Sequence, residues 1–193
     1  MLLVLIRHLP TEWNRKGLLQ GRRDTPLAPV DAESAVAVER NRRRLEALGP
    51  FDAVLASSLA RTQQTARLYG FDGFTAEPLL DELDYGPWEG RSREELYRDL
   101  GSAWFDNPRR LRLGETMDEF EARLRSFARR YAPLPRVLAF AHGSWMRAFR
   151  SLVEHGDLRA MNRSWIDNNE LLALEVSAAA PEAAPGYSSG ISK

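Results

Sequence analysis

The sequence lacks cysteine altogether, carries no excess of charge of either sign and contains no long apolar run. The absence of cysteine excludes disulfide bridges, thiol catalysis and cysteine-ligated zinc, and it fits a reducing cytosol. Because 27 basic and 27 acidic side chains balance, no long-range field draws the protein towards a polyanion, so we expect no nucleic-acid partner. No stretch approaches the roughly 18 apolar residues of a membrane span, and the first six residues do not resemble a secretory signal.

What remains is the composition of one globular domain. Of the 193 residues, 44% are apolar and 28% are charged, which is typical of a chain that folds without a disulfide or a metal. We expect a soluble, cytoplasmic protein with no membrane partner. The composition predicts no particular oligomeric state.

A run of positive charge at residues 40–44 raises the alternative of a nucleic-acid patch. The run lies in a helical pattern in which Ala35, Val38, Leu45 and Leu48 are expected to face inward. We therefore interpret the arginines as a solvated helix face.

Short apolar runs alternate along the chain with segments of helical period. The runs predict strands at residues 2–6, 53–56, 137–141 and 171–176. The helical periods predict helices at residues 33–48, 59–69, 93–100, 117–131 and 144–153. This alternation predicts an α/β fold, a three-layer α/β/α sandwich with a central, mostly parallel sheet.

Two helices carry a clear start signal. Thr116 with Glu119, and Ser92 with Glu95, have the spacing of a capping box, in which each side chain satisfies an otherwise unpaired amide. Between residues 74 and 116 the chain is rich in proline, glycine and charge, and we expect no strand there. We interpret this segment as a lid insertion. Residues 178–193 contain too few large apolar groups to order, so we expect a flexible tail after a domain at residues 1–177.

Polar residues that can bind an anion follow the predicted strands. Arg7 and His8 follow the first strand, and His142 and Gly143 follow the strand at 137–141. Arg61 stands near the start of a helix, where the backbone already favours anions. Each histidine alone is more often a capping or core residue, but sites in α/β sheets collect at the carboxyl ends of strands. The pair therefore predicts a phosphate-binding site.

Two further segments add groups to this prediction. The loop after His8 supplies Asn14, Gln20 and Gly21 as parts of an anion cradle. Residues 80–90 concentrate four carboxylates, of which partial burial can hold one in its protonated form. Glu82 is the first candidate for a proton donor, and the alternatives are Asp81, Asp84 and Glu89. The alternative interpretation is that most of these carboxylates are solvated charges on a loop.

In order along the chain, several segments together resemble the histidine phosphatase superfamily, in its phosphoglycerate-mutase-like branch 1. They are Arg7-His-Leu-Pro-Thr-Glu-Trp-Asn14, Gln20-Gly21, Asp24-Thr-Pro-Leu27, Ser57-Ser-Leu-Ala-Arg-Thr-Gln-Gln-Thr-Ala66, residues 80–90, Gly114-Glu115 and His142-Gly143. The resemblance covers about residues 1–176. The sequence departs from the family pattern at Leu9, Pro10, Ser58, Ala141 and Ser144.

The resemblance implies a role for each candidate residue. It implies that His8 becomes phosphohistidine, and that Arg7, Arg61 and His142 surround the transferred phosphoryl group. Glu82 would act first as the acid and then as the base. The remaining implied residues line the substrate side, namely Asn14, Gln20, Gly21 and Gly143. No metal and no cofactor are implied.

The expected function is a metal-independent phosphomonoesterase that acts on a small phosphorylated metabolite. One alternative is a phosphoglycerate mutase, which shares the phosphohistidine step but returns the phosphoryl group to the substrate. The modest segment at 74–116 favours hydrolysis, because such mutases tend to have longer insertions and tails. The other alternative is a module that binds a phosphorylated ligand without catalysis.

Overall fold

A computed structural model describes residues 1–177, and the predicted tail at 178–193 lies outside them. In the described part, five strands form one sheet in the order β3-β2-β4-β1-β5. All neighbours are parallel except β5, which runs antiparallel to β1. The strands are β1 (Leu2–Arg7), β2 (Ala53–Ala56), β3 (Thr75–Ala76), β4 (Arg136–Ala141) and β5 (Leu171–Glu175).

Helices connect these strands and cover both faces of the sheet. The α-helices are α1 (Glu12–Arg15), α2 (Ala32–Leu48), α3 (Ala60–Leu68), α4 (Arg93–Leu100), α5 (Ala103–Asp106), α6 (Met117–Tyr131) and α7 (Gly143–His155). Short 3₁₀ turns lie at Pro78–Leu80, Gly86–Trp88, Pro108–Arg110 and Met161–Arg163. Across residues 1–177 we find no helix with the length and apolar character needed to cross a membrane.

The three-layer arrangement follows from the alternation of side chains along the central strand. In β1, Leu3 and Leu5 pack into a core that contains residues of α6 and α7. Val4 and Ile6 point to the other face, into a core that contains residues of α2 and α3. Because β1 is apolar on both faces, it must lie in the middle of the sheet, where helices can cover both sides. The predicted fold class is confirmed.

Three details of the sequence prediction were wrong. The segment at 74–116 does contain a strand, since β3 pairs with β2 at the sheet edge; two residues are too few to give an alternating pattern. The four-residue helices α1 and α5 were not predicted, because each is shorter than the window in which helical period is visible. In α2, Ala35 is exposed, and Asn41 is buried on the inward face with Val38 and Leu45. The neighbouring arginines of the 40–44 run are exposed as expected.

Strand register places the candidate residues side by side. β1 and β4 pair in parallel, with Arg7 opposite Ala141. His8 and His142 are therefore the first residues beyond two neighbouring strand ends, and the His8 amide extends the ladder to the Ala141 carbonyl at 3.0 Å. On the other side of β4, the Ser57 amide donates to the Phe140 carbonyl at 3.2 Å. Three strand ends thus bring residues 8, 57 and 142 to one edge.

Candidate active site

His8 and His142 face each other in the interior. Their ring centroids are 5.2 Å apart and their planes are inclined by 61°. Both side chains are almost fully buried, with 3% and 0% of their surface exposed. The convergence expected from the two strand ends is therefore present.

The backbone fixes the protonation pattern of His8. Its Nδ1 lies 2.7 Å from the Leu9 carbonyl oxygen, which can only accept, so Nδ1 carries the hydrogen. Nε2 is then the nitrogen with a free lone pair. Burial, and then the nearby guanidiniums of Arg61 and Arg7, lower the pKa of His8 well below its usual value. The imidazole is therefore neutral at neutral pH, as a nucleophile requires.

His142 is held in the opposite tautomer. Arg61 Nε donates to His142 Nδ1 at 3.2 Å, so the hydrogen of this ring sits on Nε2. Nε2 donates to Ser57 Oγ at 2.7 Å. Burial, followed by the charge of Arg61, lowers the pKa of His142 well below its usual value. The second ring is thus also neutral, and Arg61 and Ser57 set its orientation.

Two buried guanidiniums accompany the rings. Arg7 Nη1 donates to the Ile166 carbonyl at 2.6 Å, whereas its Nε is buried without a hydrogen-bond partner in the structure. Arg61 Nη2 donates to the Gly21 carbonyl at 2.7 Å. Burial lowers the pKa of each arginine to about 10, so both stay charged at neutral pH. A buried charged donor without a partner is costly unless it binds an anion.

Glu82 lies on the same cavity wall, at the N-terminus of α7. Its Oε1 accepts from the amides of Leu83 and Trp145, each at 2.9 Å, and its Oε2 accepts from the amide of Ser144 at 3.0 Å. The negative charge of Glu82 favours the charged forms of Arg7 and Arg61. This placement fixes the position of the Glu82 carboxyl group, because the amides at a helix start have no partner within the helix and donate to it instead.

The other acidic candidates of residues 80–90 hold loops together. Asp81 accepts from the Ser58 amide at 2.8 Å and pairs with Arg22 at 2.9 Å. Asp84 accepts from the Gly86 amide at 2.7 Å, and Glu89 accepts from the backbone amides of residues 22 and 23. Of the four carboxylates, Glu82 is the one that lines the cavity.

A cavity of about 50 Å³ opens beside these groups. That volume holds a few waters or a group of phosphoryl size. Arg7, His8 and Glu82 form one part of its wall, and Asn14 and Gln20 form another. The Thr11 hydroxyl donates to Gln20 Oε1 at 2.7 Å and the Thr11 amide donates to Asn14 Oδ1 at 3.1 Å, so hydrogen bonds brace the loop after His8.

Two glycines make this packing possible. A Cβ on Gly143 would lie 3.2 Å from Cζ and Nε of Arg7, so the guanidinium can occupy its position because Gly143 has no side chain. Gly21 is enclosed by backbone, with Leu83 O 2.7 Å from where its Cβ would stand. Gly143 lines the cavity, whereas Gly21 lies outside the lining and positions Arg61 through its carbonyl oxygen.

Comparison with known proteins agrees with this geometry. A family model described as the histidine phosphatase superfamily (branch 1) matches residues 3–184. The chain belongs to this superfamily. The resemblance drawn from the ordered motifs is thereby confirmed.

The similar proteins include some named as phosphatases and some named as phosphoglycerate mutases. A 2,3-bisphosphoglycerate-dependent phosphoglycerate mutase of Methylobacterium sp. is 35% identical over 167 residues, which cover 76% of this chain and 77% of the mutase. A protein of Hydrogenobacter thermophilus, named as a candidate phosphoserine phosphatase, is 29% identical over 86% of this chain and 85% of its own. The alpha-ribazole phosphatase of Shigella flexneri superposes with a TM-score of 0.73 and 28% identity, covering 92% of this chain and 91% of that one.

Of the departures from the family pattern, Ser144 lines the cavity, whereas Leu9 and Ser58 lie behind it. Leu9 is buried in the core on the α2 and α3 side, and its amide donates to Thr65 Oγ1 at 3.1 Å. Ser58 donates through its amide and hydroxyl to Asp81. Both substitutions therefore change the support of the histidine phosphatase site and do not enter its cavity.

Sequence reasoning missed several groups on the cavity wall. They are Tyr85, Arg93, Arg147 and Trp165. Arg147 follows Gly143 by four residues on α7, so helical spacing could have indicated it. Tyr85, whose hydroxyl lies 2.7 Å from Ser144 Oγ, belongs to the segment 80–90 already selected for its carboxylates. Arg93, at the start of α4, and Trp165 carry no local signal, since segments far apart in sequence bring them together.

Proposed function

We propose that this histidine phosphatase is a metal-independent phosphomonoesterase that hydrolyses small phosphorylated metabolites through phosphohistidine on His8. The observation that carries the proposal is that neutral His8 and charged Arg7, whose Nε has no hydrogen-bond partner, line one cavity of phosphoryl size. A nucleophile and a fixed cation for the equatorial oxygens are the main needs of phosphoryl transfer.

The first step transfers the phosphoryl group to the protein. His8 Nε2 forms a bond to phosphorus while the bond from phosphorus to the ester oxygen breaks. Protonated Glu82 gives its proton to the departing alkoxide, which leaves as an alcohol. Arg7, Arg61 and His142 stabilise the charge that spreads over the phosphoryl oxygens.

The second step releases phosphate. Water attacks phosphorus, Glu82 takes the proton from that water, and the bond to Nε2 breaks. Glu82 then carries the proton needed for the next cycle. Its Oε2 accepts one backbone hydrogen bond in the structure, which leaves a further lone pair for this proton. Asn14, Gln20 and Gly143 would contact the substrate.

The test uses p-nitrophenyl phosphate with the parent protein and two histidine variants. His8→Ala is expected to lose at least about 100-fold in kcat/KM, because it removes the nucleophile. His155→Ala is the matched control, since His155 is half exposed at the end of α7. Unchanged hydrolysis by His8→Ala, or loss of parent activity in EDTA, would refute the proposal. Labelled phosphate trapped on the chain without acid quenching separates catalysis from simple ligand binding.

A phosphoglycerate mutase is the second candidate, and the 35% identity to a mutase favours keeping it. Both functions use phosphohistidine, but the mutase must exclude water from the intermediate. One assay that measures phosphate release and conversion of 3-phosphoglycerate to 2-phosphoglycerate distinguishes them. We expect phosphate release to dominate.

A further inference from the structure

Two arginines beyond Arg7 and Arg61 reach the active-site cavity. Arg93 is the first residue of α4, and Arg147 lies one turn into α7. Both line the cavity together with Trp165. The guanidinium carbons of Arg93 and Arg147 lie 4.5 and 5.9 Å from the centroid of the Trp165 ring. We call Arg93 and Arg147 the outer arginine pair.

The outer arginine pair forms no ion pair with any carboxylate of residues 1–177. Arg147 instead donates to neutral acceptors, the Gly143 carbonyl at 3.3 Å and Ser144 Oγ at 3.0 Å. Arg7 and Arg61 of the site share this property, whereas buried Arg125 on α6, away from the cavity, is paired with Glu121 at 2.6 Å. Arg147 is 7% exposed, so its charge has lost most of its water without gaining an opposite charge.

The charges on the cavity wall do not balance. Arg7, Arg93 and Arg147 line it, whereas Glu82 is the carboxylate that lines it among the described residues. The outer arginine pair disfavours the charged form of Arg7, which indicates mutual repulsion. A phosphomonoester dianion offsets two positive charges, and Arg61 adds another cation behind His142. A positive charge therefore remains for a second anionic group.

We propose that Arg93 and Arg147 form a second anion subsite, so that the preferred substrate is a small phosphomonoester bearing a further anionic group, such as a carboxylate. This inference rests on the proposed phosphatase function. A guanidinium fork matches the two oxygens of a carboxylate, and Trp165 holds both forks against one ring face or edge. Because the outer arginine pair lines the same cavity as His8, an anion bound to the pair lies near the phosphoester. Since Arg93 lies in the predicted lid, such a substrate also ties α4 to α7.

The experiment compares two substrates that differ by one carboxylate, phosphoserine and phosphoethanolamine. The parent is expected to prefer phosphoserine in kcat/KM. In each of the variants Arg93→Gln and Arg147→Gln, the ratio of kcat/KM for phosphoserine to kcat/KM for phosphoethanolamine should fall roughly tenfold. Loss of one hydrogen bond to a charged group has an effect of this size. Arg147→Lys keeps the charge but not the fork and should retain part of the preference. Arg98→Gln, on the same helix as Arg93 and 69% exposed, should keep the parent preference.

The outcomes separate this inference from the function on which it rests. A folded parent that hydrolyses neither these substrates nor p-nitrophenyl phosphate refutes the phosphatase function itself. An active parent without a preference for phosphoserine refutes the second anion subsite alone. So do glutamine variants that lose activity on both substrates equally, because that pattern indicates a structural role. Thermal melting of each variant verifies that it folds.

Discussion

At the scale of single residues, the site is built from charges and lone pairs that the surrounding backbone assigns. His8 and His142 have opposite tautomers because a carbonyl binds one Nδ1 and a guanidinium binds the other. Both are neutral because burial, and then the charges of Arg61 and Arg7, disfavour the protonated rings. A neutral ring next to fixed positive charge can attack an anionic phosphoryl group without being repelled or protonated.

Glu82→Gln should reveal the proton donor through its dependence on the leaving group. An alkyl phosphate leaves as a strong base and needs a proton, whereas p-nitrophenolate needs little help. We expect kcat/KM to fall roughly 100-fold for an alkyl phosphate and much less for p-nitrophenyl phosphate. Equal losses on both would contradict the role of Glu82. Asp84→Asn serves as the comparison, because that carboxylate holds the Gly86 amide.

Gly143→Ala should separate activity from stability. The new Cβ would stand 3.2 Å from the Arg7 guanidinium and displace it by a few tenths of an ångström, while alanine suits a helix better than glycine. We expect kcat/KM to drop about tenfold with an unchanged or slightly higher melting temperature. Gly73→Ala is the control, since no atom beyond its two neighbours in the chain lies within 4 Å of its Cβ position. Full activity of Gly143→Ala would show that the guanidinium position is not critical.

At the scale of elements, helix starts support both the fold and the site. The amide donors that begin α7 bind Glu82, a residue from another segment. The α6 helix uses its own sequence instead, with Thr116 Oγ1 accepting from the Glu119 amide at 3.2 Å and Glu119 Oε2 accepting from the Thr116 amide at 2.8 Å. The start of α7 therefore holds the Glu82 carboxyl group in the site, whereas the cap of α6, made by neighbouring residues, contributes to stability alone.

Thr116→Ala should therefore lower stability without affecting catalysis. Removing an N-cap hydroxyl costs about 1 kcal/mol, and α6 buries Phe120, Leu124 and Phe127 in the core. For a chain of this size that corresponds to a melting temperature lower by about 3 °C. Thr116→Ser keeps the hydroxyl and should melt like the parent. A comparable loss in both variants would show that the cap does not contribute as described.

At the scale of the whole molecule, burying two imidazoles makes stability depend on pH. Their folded pKa values lie well below 6.5, and the unfolded chain titrates near 6.5. Below that pH the unfolded state binds protons that the folded state does not, so the free energy of unfolding falls as pH falls. Above it both states are neutral and the contribution vanishes.

Denaturant unfolding between pH 7 and pH 5 checks this. We expect each buried imidazole to lower the free energy of unfolding by up to about 1.4 kcal/mol per pH unit below 6.5. His8→Gln and His142→Gln should each make the free energy of unfolding depend less steeply on pH, whatever their effect on absolute stability. His155→Gln, at an exposed position, should retain most of the parent's pH dependence. A slope identical to the parent in both buried variants would contradict the linkage.

Several properties of the whole molecule stay predictions. The cytoplasmic location, the lid role of residues 74–116 and the tail at 178–193 rest on sequence patterns alone. Substrate preference rests on the second anion subsite proposed above.

Local sequence by itself determined the core strands, the long helices and the capping boxes of α4 and α6, because apolar period and cap chemistry act over a few residues. It also singled out Arg7, His8, Arg61 and His142, since each stands next to a strand end or helix start. Local sequence did not predict the two-residue strand β3 or the exposure of Ala35. Pairing with β2 creates the strand, and the packing of α2 sets which of its residues are buried.

Only the tertiary structure decided which of four carboxylates enters the cavity. The four carboxylates of residues 80–90 have similar sequence surroundings. Which of them lines the cavity depends on where the amides at the start of α7 lie. The same holds for Arg93, Arg147 and Trp165, which separate loops and helices bring together. Contacts between distant segments depend on strand order and register, which short-range patterns do not encode. The sequence therefore indicated the phosphate-binding residues, whereas the fold determined which side chains surround them and which hydrogen bonds they make.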